Sequence, residues 1–472
     1  MPTSDPTGAA TPRGGQRKVW QRALVALCAL VLVAGINAAL TYVLEPYGSV
    51  SDAVWYQYHE ATEAGERFDT LVIGSSVAQY SLQPEPLDET LGCNAFCLSS
   101  PGQSPWVSLK ALELALKDQP VKRVILGTSY ATLAEPAWPQ PDMACVQAMM
   151  RCYSLPEKIA AYGELLLNPD YVGGINSLAF LAPYTLDHVD YSPSAIMANL
   201  RNRAECATPV EACTRITGNI QPLGKGFANL VGNYDLQTIS EGTAVSNVLA
   251  GRSVSEARWQ PIAKICQICE ERDIELIVVS MPHVLSEGVS LSDRYAREMA
   301  VVQDYVEAHG ATFLDFSMAK PELYDPEMSD FIDLAHLNIE GTARFTPILA
   351  QTIARIEAGE DVRTDFYSYD EWDAYLTSLD EIGFVYFTAE RSAEGFALTA
   401  VANPGSLVDV EYEYAVEGAD GSWKVVRTWD SDPACTLSLA AYDQVRVRLS
   451  ARQAGTAEAE SIHYQYLTCL GA

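Results

Sequence analysis

At 472 residues and 51.4 kDa the chain has room for two or three ordinary domains. An apolar share of 48% against 19% charged residues excludes an intrinsically disordered chain. Lys and Arg number 31 against 61 Asp and Glu, a net charge of −30. So acidic a body repels phosphate backbones, which excludes nucleic-acid binding through a basic surface.

The first 22 residues run against that balance, with Arg13, Arg17, Lys18 and Arg22 outweighing Asp5. Without them 27 basic face 60 acidic residues, a charge of −33. Residues 23–44, ALVALCALVLVAGINAALTYVL, carry no formal charge and are interrupted only by the polar groups of Asn37, Thr41 and Tyr42. A helix of that length crosses a hydrocarbon core of ~30 Å. With the basic flank before it, the pattern predicts a single-pass anchor with a cytoplasmic N-terminus and everything after Tyr47 outside the cytoplasm. The competing reading is a cleaved signal peptide, cut near Asn37-Ala38-Ala39.

Of eleven cysteines, Cys28 lies in the span. The rest fall as close neighbours, Cys93/Cys97, Cys145/Cys152, Cys206/Cys213 and Cys266/Cys269, followed by Cys435 and Cys469. In an extracytoplasmic chain this usage predicts disulfides, with neighbour pairing the economical connectivity. A zinc site at Cys266-x-x-Cys269 needs a second ligand pair, which the nearby sequence does not supply.

From residue 67 short apolar runs alternate with helical stretches, as in a parallel α/β sheet. The runs are Phe68–Ile73, Asn94–Leu98, Val124–Leu126, Ile274–Val279 and Thr312–Phe316. Helices are expected near Trp106–Lys117 and Ile339–Ile356. Five strands, each followed by a loop at its carboxyl end, predict a three-layer doubly wound fold whose ligands bind at those ends. Residues 134–255, opening with Pro136, Pro139 and Pro141 and containing a helical stretch at Leu155–Leu167, interrupt the alternation. Such an insertion serves either as a lid or binding wall or as packing. Beyond an acidic, aromatic stretch at 365–380, seven short alternating runs from Phe384 to Leu467 predict a β-sandwich. The expected division is therefore tail 1–22, span 23–44, linker 45–66, α/β domain 67–358, linker 359–383 and sandwich 384–472.

Gly74-Ser75-Ser76 puts a serine where the first strand turns into a helix, with backbone N–H groups directed at the same place. Serines cap helices routinely, so this turn by itself is a weak signal. Asp333-Leu334-Ala335-His336-Leu337-Asn338 is more specific. Asp and His three apart on a turn can present carboxylate beside imidazole, the pairing that fixes a tautomer and stabilises an imidazolium. His283 and Tyr130 follow strands and are candidate site-lining groups, though a packed loop histidine and a packed tyrosine are the commoner outcomes. No phosphate loop, metal cluster or dinucleotide fingerprint occurs, so neither cofactor nor metal is expected.

On these residues the sequence resembles the SGNH (GDSL-like) hydrolase superfamily over roughly residues 67–358, apart from the insertion. Gly74-Ser75-Ser76 matches its first block with Ser in place of Asp, and Ser76 at the nucleophile position. Gly102 in Ser-Pro-Gly-Gln-Ser matches the second, whose N–H serves the oxyanion hole, and Asp333 and His336 match the last. The third block, Gly-x-Asn-Asp in the family, reads Gly127-Thr128-Ser129-Tyr130, leaving Ser129 as a substitute donor. The span with Gly-Ser-Ser looks like an extracytoplasmic branch that includes the D-alanyl transfer protein of teichoic acid modification and acetyltransferase-like proteins of exopolysaccharide synthesis. The resemblance implies ester hydrolysis or acyl transfer on a cell-surface glycan or polymer, beside a membrane-bound O-acyltransferase. The alternative is a scaffold or glycan-binding protein that keeps the fold without turnover.

Overall fold

The computed structural model describes residues 13–134, 139–172, 190–232, 253–283, 292–333, 335–378, 385–391, 395–402, 409–418, 420–438, 444–455 and 462–471, with the single residues 182, 184 and 382. Asp5, Pro136, Leu334 and the side chains of Arg13, Arg17, Lys18 and Cys469 lie outside this set, as does much of 134–255.

One helix, Arg13–Leu44, contains the uncharged run, and its Trp20–Leu44 stretch is long and apolar enough to cross a membrane. A second helix, Val50–Glu63, follows, with the Ser49 hydroxyl accepting from the Asp52 N–H at its start. Strands β1 (Thr70–Gly74), β2 (Ala95–Cys97) and β3 (Arg123–Thr128) come next, then a hairpin of β4 (Ile220–Gly224) and β5 (Phe227–Leu230), then β6 (Glu275–Ser280) and β7 (Thr312–Asp315). Each of the five expected α/β strands is present, with ends displaced by no more than three residues.

These strands form one parallel sheet in the order β2-β1-β3-β6-β7. Both faces are buried, and the two-residue period sorts side chains between them. Leu71, Ile73, Val124, Leu126, Leu276 and Val278 pack under Val50–Glu63 and the helices Pro105–Ala115, Glu256–Arg272 and Ser292–Ala308. Val72, Ile125, Ile277, Val279 and Leu314 face the other way, against Leu87, Phe345, Leu349 and Ile353, the last three on the helix Ile339–Glu357. The result is the expected three-layer α/β architecture. The chain leaves β1 for one side of the sheet and returns to the other, so a switch point lies between β1 and β3.

At that point Gly74 stands opposite Gly127. A Cβ on Gly74 would lie 2.3 Å from the Gly127 carbonyl oxygen, and one on Gly127 would lie 2.5 Å from Ala78 Cβ. Two glycines therefore let the short helix Ser76–Gln79 cross directly over the strand ends.

Within the insertion, the helix Leu155–Leu167 forms as expected, opened by a capping box between Ser154 and Glu157. The β4–β5 turn is pinned to the edge of the sheet, because Cys97 N–H donates to the Lys225 carbonyl at 2.9 Å and Gln79 Nε2 donates to the Gly226 carbonyl at 2.7 Å.

Beyond a helix at Tyr369–Ser378, all seven expected strands are present: β8 (Val385–Arg391), β9 (Gly395–Ala402), β10 (Val410–Glu417), β11 (Trp423–Asp430), β12 (Ala434–Ser438), β13 (Gln444–Gln453) and β14 (Ile462–Gly471). They form antiparallel sheets β12-β9-β8 and β11-β10-β13-β14, which bury Phe387, Leu398, Tyr414, Leu437, Val447 and Leu449 between them as a β-sandwich.

The disulfide expectation is corrected. Cys28, Cys93, Cys97, Cys145, Cys152, Cys206, Cys213, Cys266, Cys269 and Cys435 are all unbridged. Spacing along the chain did not reveal what each sulfur meets in space. Cys93 donates to Asp88 Oδ1 at 3.5 Å, while its neighbour Cys97 is buried within β2. Cys145 lies 3.2 Å from the Ser100 hydroxyl and donates to the Pro101 carbonyl at 3.3 Å. Burial pushes the Cys97 and Cys152 thiols up to about 11 and those of Cys266 and Cys269 to about 12, so they stay protonated and unreactive.

Candidate active site

Ser76 is the first residue of the turn that follows β1, and Asp333 and His336 sit on the loop that precedes Ile339–Glu357. More than 250 residues apart in sequence, they meet at the carboxyl edge of the sheet. His336 Nε2 is 2.7 Å from Ser76 Oγ. On the other side of the ring, Nδ1 is 2.8 Å from Asp333 Oδ2 and 2.9 Å from Oδ1. The His336 side chain keeps 26% of its surface exposed, and Ser76 beside it is partly exposed.

Asp333 Oδ1 also accepts the backbone N–H groups of Ala335 (3.0 Å) and His336 (2.9 Å), folding the carboxylate back over its own turn. Desolvation by the surrounding protein raises the Asp333 pKa. The neighbouring His336 and these hydrogen bonds outweigh it and hold the carboxyl below its ordinary value. A charged carboxylate on Nδ1 keeps a proton there and leaves Nε2 as the acceptor facing Ser76.

The loop is held from beneath by Asn338, which is fully buried. Its Oδ1 accepts the N–H groups of Glu340 and Gly341, capping the helix, while Nδ2 donates to the carbonyls of Ser329 (2.7 Å), Phe331 (3.3 Å) and Gly232 (3.0 Å). The Ile332 N–H donates to the His336 carbonyl across the same loop. Tyr80, one helical turn after Ser76, packs its ring edge against the His336 imidazole at 5.9 Å and is itself covered by Ala228 and Leu230 of β5. The β4–β5 hairpin thus packs behind the histidine through Tyr80. Sequence reading passed over Tyr80 and treated Asn338 only as part of its motif. The available signals were the four-residue step from Ser76 and the Asn placed to cap a helix.

The remaining candidates are placed as follows. The Ser100 N–H reaches the Gly74 carbonyl at 3.4 Å, which ties the Gly102 loop to the Ser76 turn. Among the described residues no hydrogen bond occupies the backbone N–H of Ser76 or of Gly102. The Ser129 hydroxyl is engaged by Thr132, 3.0 Å from its Oγ1 and accepting its N–H at 3.2 Å, and Thr132 Oγ1 lies 3.4 Å from Ser75 Oγ. Tyr130 is not part of this constellation. It is 2% exposed, its hydroxyl is 3.3 Å from Glu298, and its ring is 5.7 Å from Tyr295. His283 lies in the same aromatic cluster, 6.2 Å from the Tyr295 ring, and its buried Nε2 has no partner among the described residues. Among the described residues no group of three or more His, Cys, Asp and Glu is placed to hold a metal ion.

Fold and geometry together define an α/β protein with a hydrogen-bonded Ser–His–Asp chain at the carboxyl edge of a parallel sheet. No family model and no curated protein matches the sequence. Among solved structures, the chain is similar to a two-domain esterase (CEX), active on acetylated mannans and co-crystallised with mannopentaose, at a TM-score of 0.26 and 12% identity, covering 91% of this chain and 96% of that one. A likeness that distant carries no argument about chemistry.

Proposed function

We propose that this chain is a serine esterase or O-acyltransferase of the SGNH type, acting on acyl esters of a cell-surface glycan or polymer. The observation that carries the reading is the continuous Ser76–His336–Asp333 hydrogen-bonded chain, with 2.7 Å and 2.8 Å contacts at the two ring nitrogens. In this mechanism Ser76 Oγ gives its proton to His336 Nε2 and attacks the acyl carbon. The N–H groups of Ser76 and Gly102 hold the oxyanion. The intermediate collapses, and the departing alkoxide takes the proton from Nε2, leaving an acyl-serine. Water then regenerates the enzyme as an esterase, or a glycan hydroxyl does so as a transferase, with His336 again accepting the attacking proton.

The same reading assigns the catalytic unit to 67–358 with 134–255 inserted, and a separate module to 384–472. It also places residues 23–44 across a membrane with the N-terminus cytoplasmic, beside a membrane-bound O-acyltransferase as partner. Two observations support a membrane placement: the uncharged span and the basic residues before it.

A second reading, a glycan-binding scaffold without turnover, is favoured by one observation. The Ser129 hydroxyl, in the place of the family's oxyanion Asn, is already engaged by Thr132. Loss of one oxyanion donor costs ~10²–10³ in rate. The deciding experiment treats the full chain in detergent with a fluorophosphonate and locates the adduct by mass spectrometry. An adduct on Ser76, absent in Ser76→Ala and His336→Ala, is expected. A folded protein left unlabelled at Ser76 sinks the enzyme reading in favour of the scaffold.

A further inference from the structure

Asn37 is a polar interruption inside the apolar span, seven residues before the helix ends at Leu44. At 1.5 Å per residue that is roughly 10 Å below the exit of the helix. In hydrocarbon an amide needs a protein partner, because no water reaches it. The partner comes from the insertion: the Tyr184 hydroxyl donates to Asn37 Oδ1 at 2.9 Å. If the span lies in a bilayer, this contact takes a residue of the extracytoplasmic insertion to hydrocarbon depth.

A second set of contacts surrounds the exit. The last carbonyls of a helix have no intrahelical partner. Asn199, on the helix Pro193–Glu205, donates its side-chain amide to the Val43 carbonyl at 2.9 Å and to the Glu45 carbonyl at 2.7 Å. Arg203, one turn later, also donates to the Glu45 carbonyl, and its guanidinium lies 4.7 Å from the ring centres of both Tyr42 and Tyr47. Tyr191 donates to the Tyr184 carbonyl. Three tyrosines, 42, 47 and 191, therefore gather where the span leaves the apolar layer, the level at which tyrosine is enriched in membrane proteins. Met197, on the helix that caps the span, is 58% exposed, and Tyr191 is 54% exposed.

We propose that Tyr184 and residues 190–205 form a collar seated in the phospholipid bilayer around the exit of the span, with Tyr184 in the hydrocarbon and Tyr191 and Met197 in the polar layer. The inference rests on the membrane placement proposed above. Its consequence is that the span is held at two levels, by Tyr184 at Asn37 and by Asn199 and Arg203 at its exit.

The test places a benzophenone amino acid at Leu30, Tyr191, Met197 and Lys424 of the full chain, one at a time. Each protein is irradiated in phosphatidylcholine–phosphatidylglycerol nanodiscs, and lipid adducts are measured by mass spectrometry. Adduct yields at Tyr191 and Met197 at least tenfold above Lys424, with Leu30 also labelled, are expected. Leu30 labelled while Tyr191 and Met197 stay at the Lys424 level overturns the collar and leaves the span standing. Leu30 at the Lys424 level overturns the membrane placement, and the collar with it. Protein–protein adducts at Met197 in place of lipid adducts assign that face to a second chain and overturn the proposal.

Discussion

Asp333 accepts two backbone N–H groups and the His336 ring, so its charge is stabilised where the proposed mechanism needs it. Asp333→Asn keeps the size of the side chain but turns the ring toward the wrong tautomer. The Ser76 labelling rate is expected to fall by roughly 10³–10⁴-fold with little change in melting temperature. His283 presents the opposite electrostatics. Burial of its ring pushes its pKa down to about 4, while in the unfolded chain it titrates near 6.5. Between those values the unfolded state holds the extra proton. This contribution to stability is therefore complete above pH ~6.5 and is lost as pH falls toward ~4, by on the order of 2–3 kcal/mol. Urea midpoints measured from pH 4 to 7 test this: His283→Phe is expected to show a flatter slope than the native chain, and parallel slopes would show that the ring is not held neutral.

At the scale of elements, Asn338 joins the helix Ile339–Glu357 to the Asp333–His336 loop through both ends of one amide. Its Oδ1 caps the helix, and its Nδ2 gathers three carbonyls. The two roles are separable by substitution. Asn338→Asp retains the capping oxygen but loses the donor, whereas Asn338→Ala loses both, the cap alone being worth about 1 kcal/mol. Asn338→Asp is expected to slow Ser76 labelling by tenfold or more, because the carbonyls that shape the loop are left unpaired beside a carboxylate. Equal labelling rates in Asn338→Asp and the native chain would show that the loop keeps its form without those bonds. The β4–β5 hairpin acts at the same scale. Its turn is pinned to β2 and its second strand covers Tyr80, so the hairpin is held against the residue that packs on His336.

For the whole molecule, the unbridged cysteines give a direct chemical prediction. Unfolding in iodoacetamide without reductant is expected to add one carbamidomethyl mass at each of the ten unbridged cysteines, and prior reduction is expected to add nothing further at those positions. A reduction-dependent gain at Cys93 and Cys97, or at Cys266 and Cys269, would restore the neighbour pairing. Much of the architecture was legible in the sequence because it follows from local periodicity. Runs of three to six residues bounded by glycine and serine turns marked the parallel strands, and alternation marked β8–β14. An uncharged run of helical length marked the span. Ser76 and the Asp333–His336 pair were legible as motifs, since each is a short-range pattern. Their meeting within 2.7 Å was not, because it depends on the sheet order and on the helix Ile339–Glu357 packing back against the Val72 face of the sheet and Leu87. The same holds for Tyr130, whose position after a strand suggested the site but whose ring turned into the core. It holds also for the cysteines, whose spacing suggested bridges that packing and hydrogen bonding left unformed. Sequence alone determined the elements, because hydrophobic period and turn chemistry act over a few residues. Tertiary structure decided the partners, because which atoms touch across hundreds of residues is settled only when the sheet orders its strands and the layers close on it.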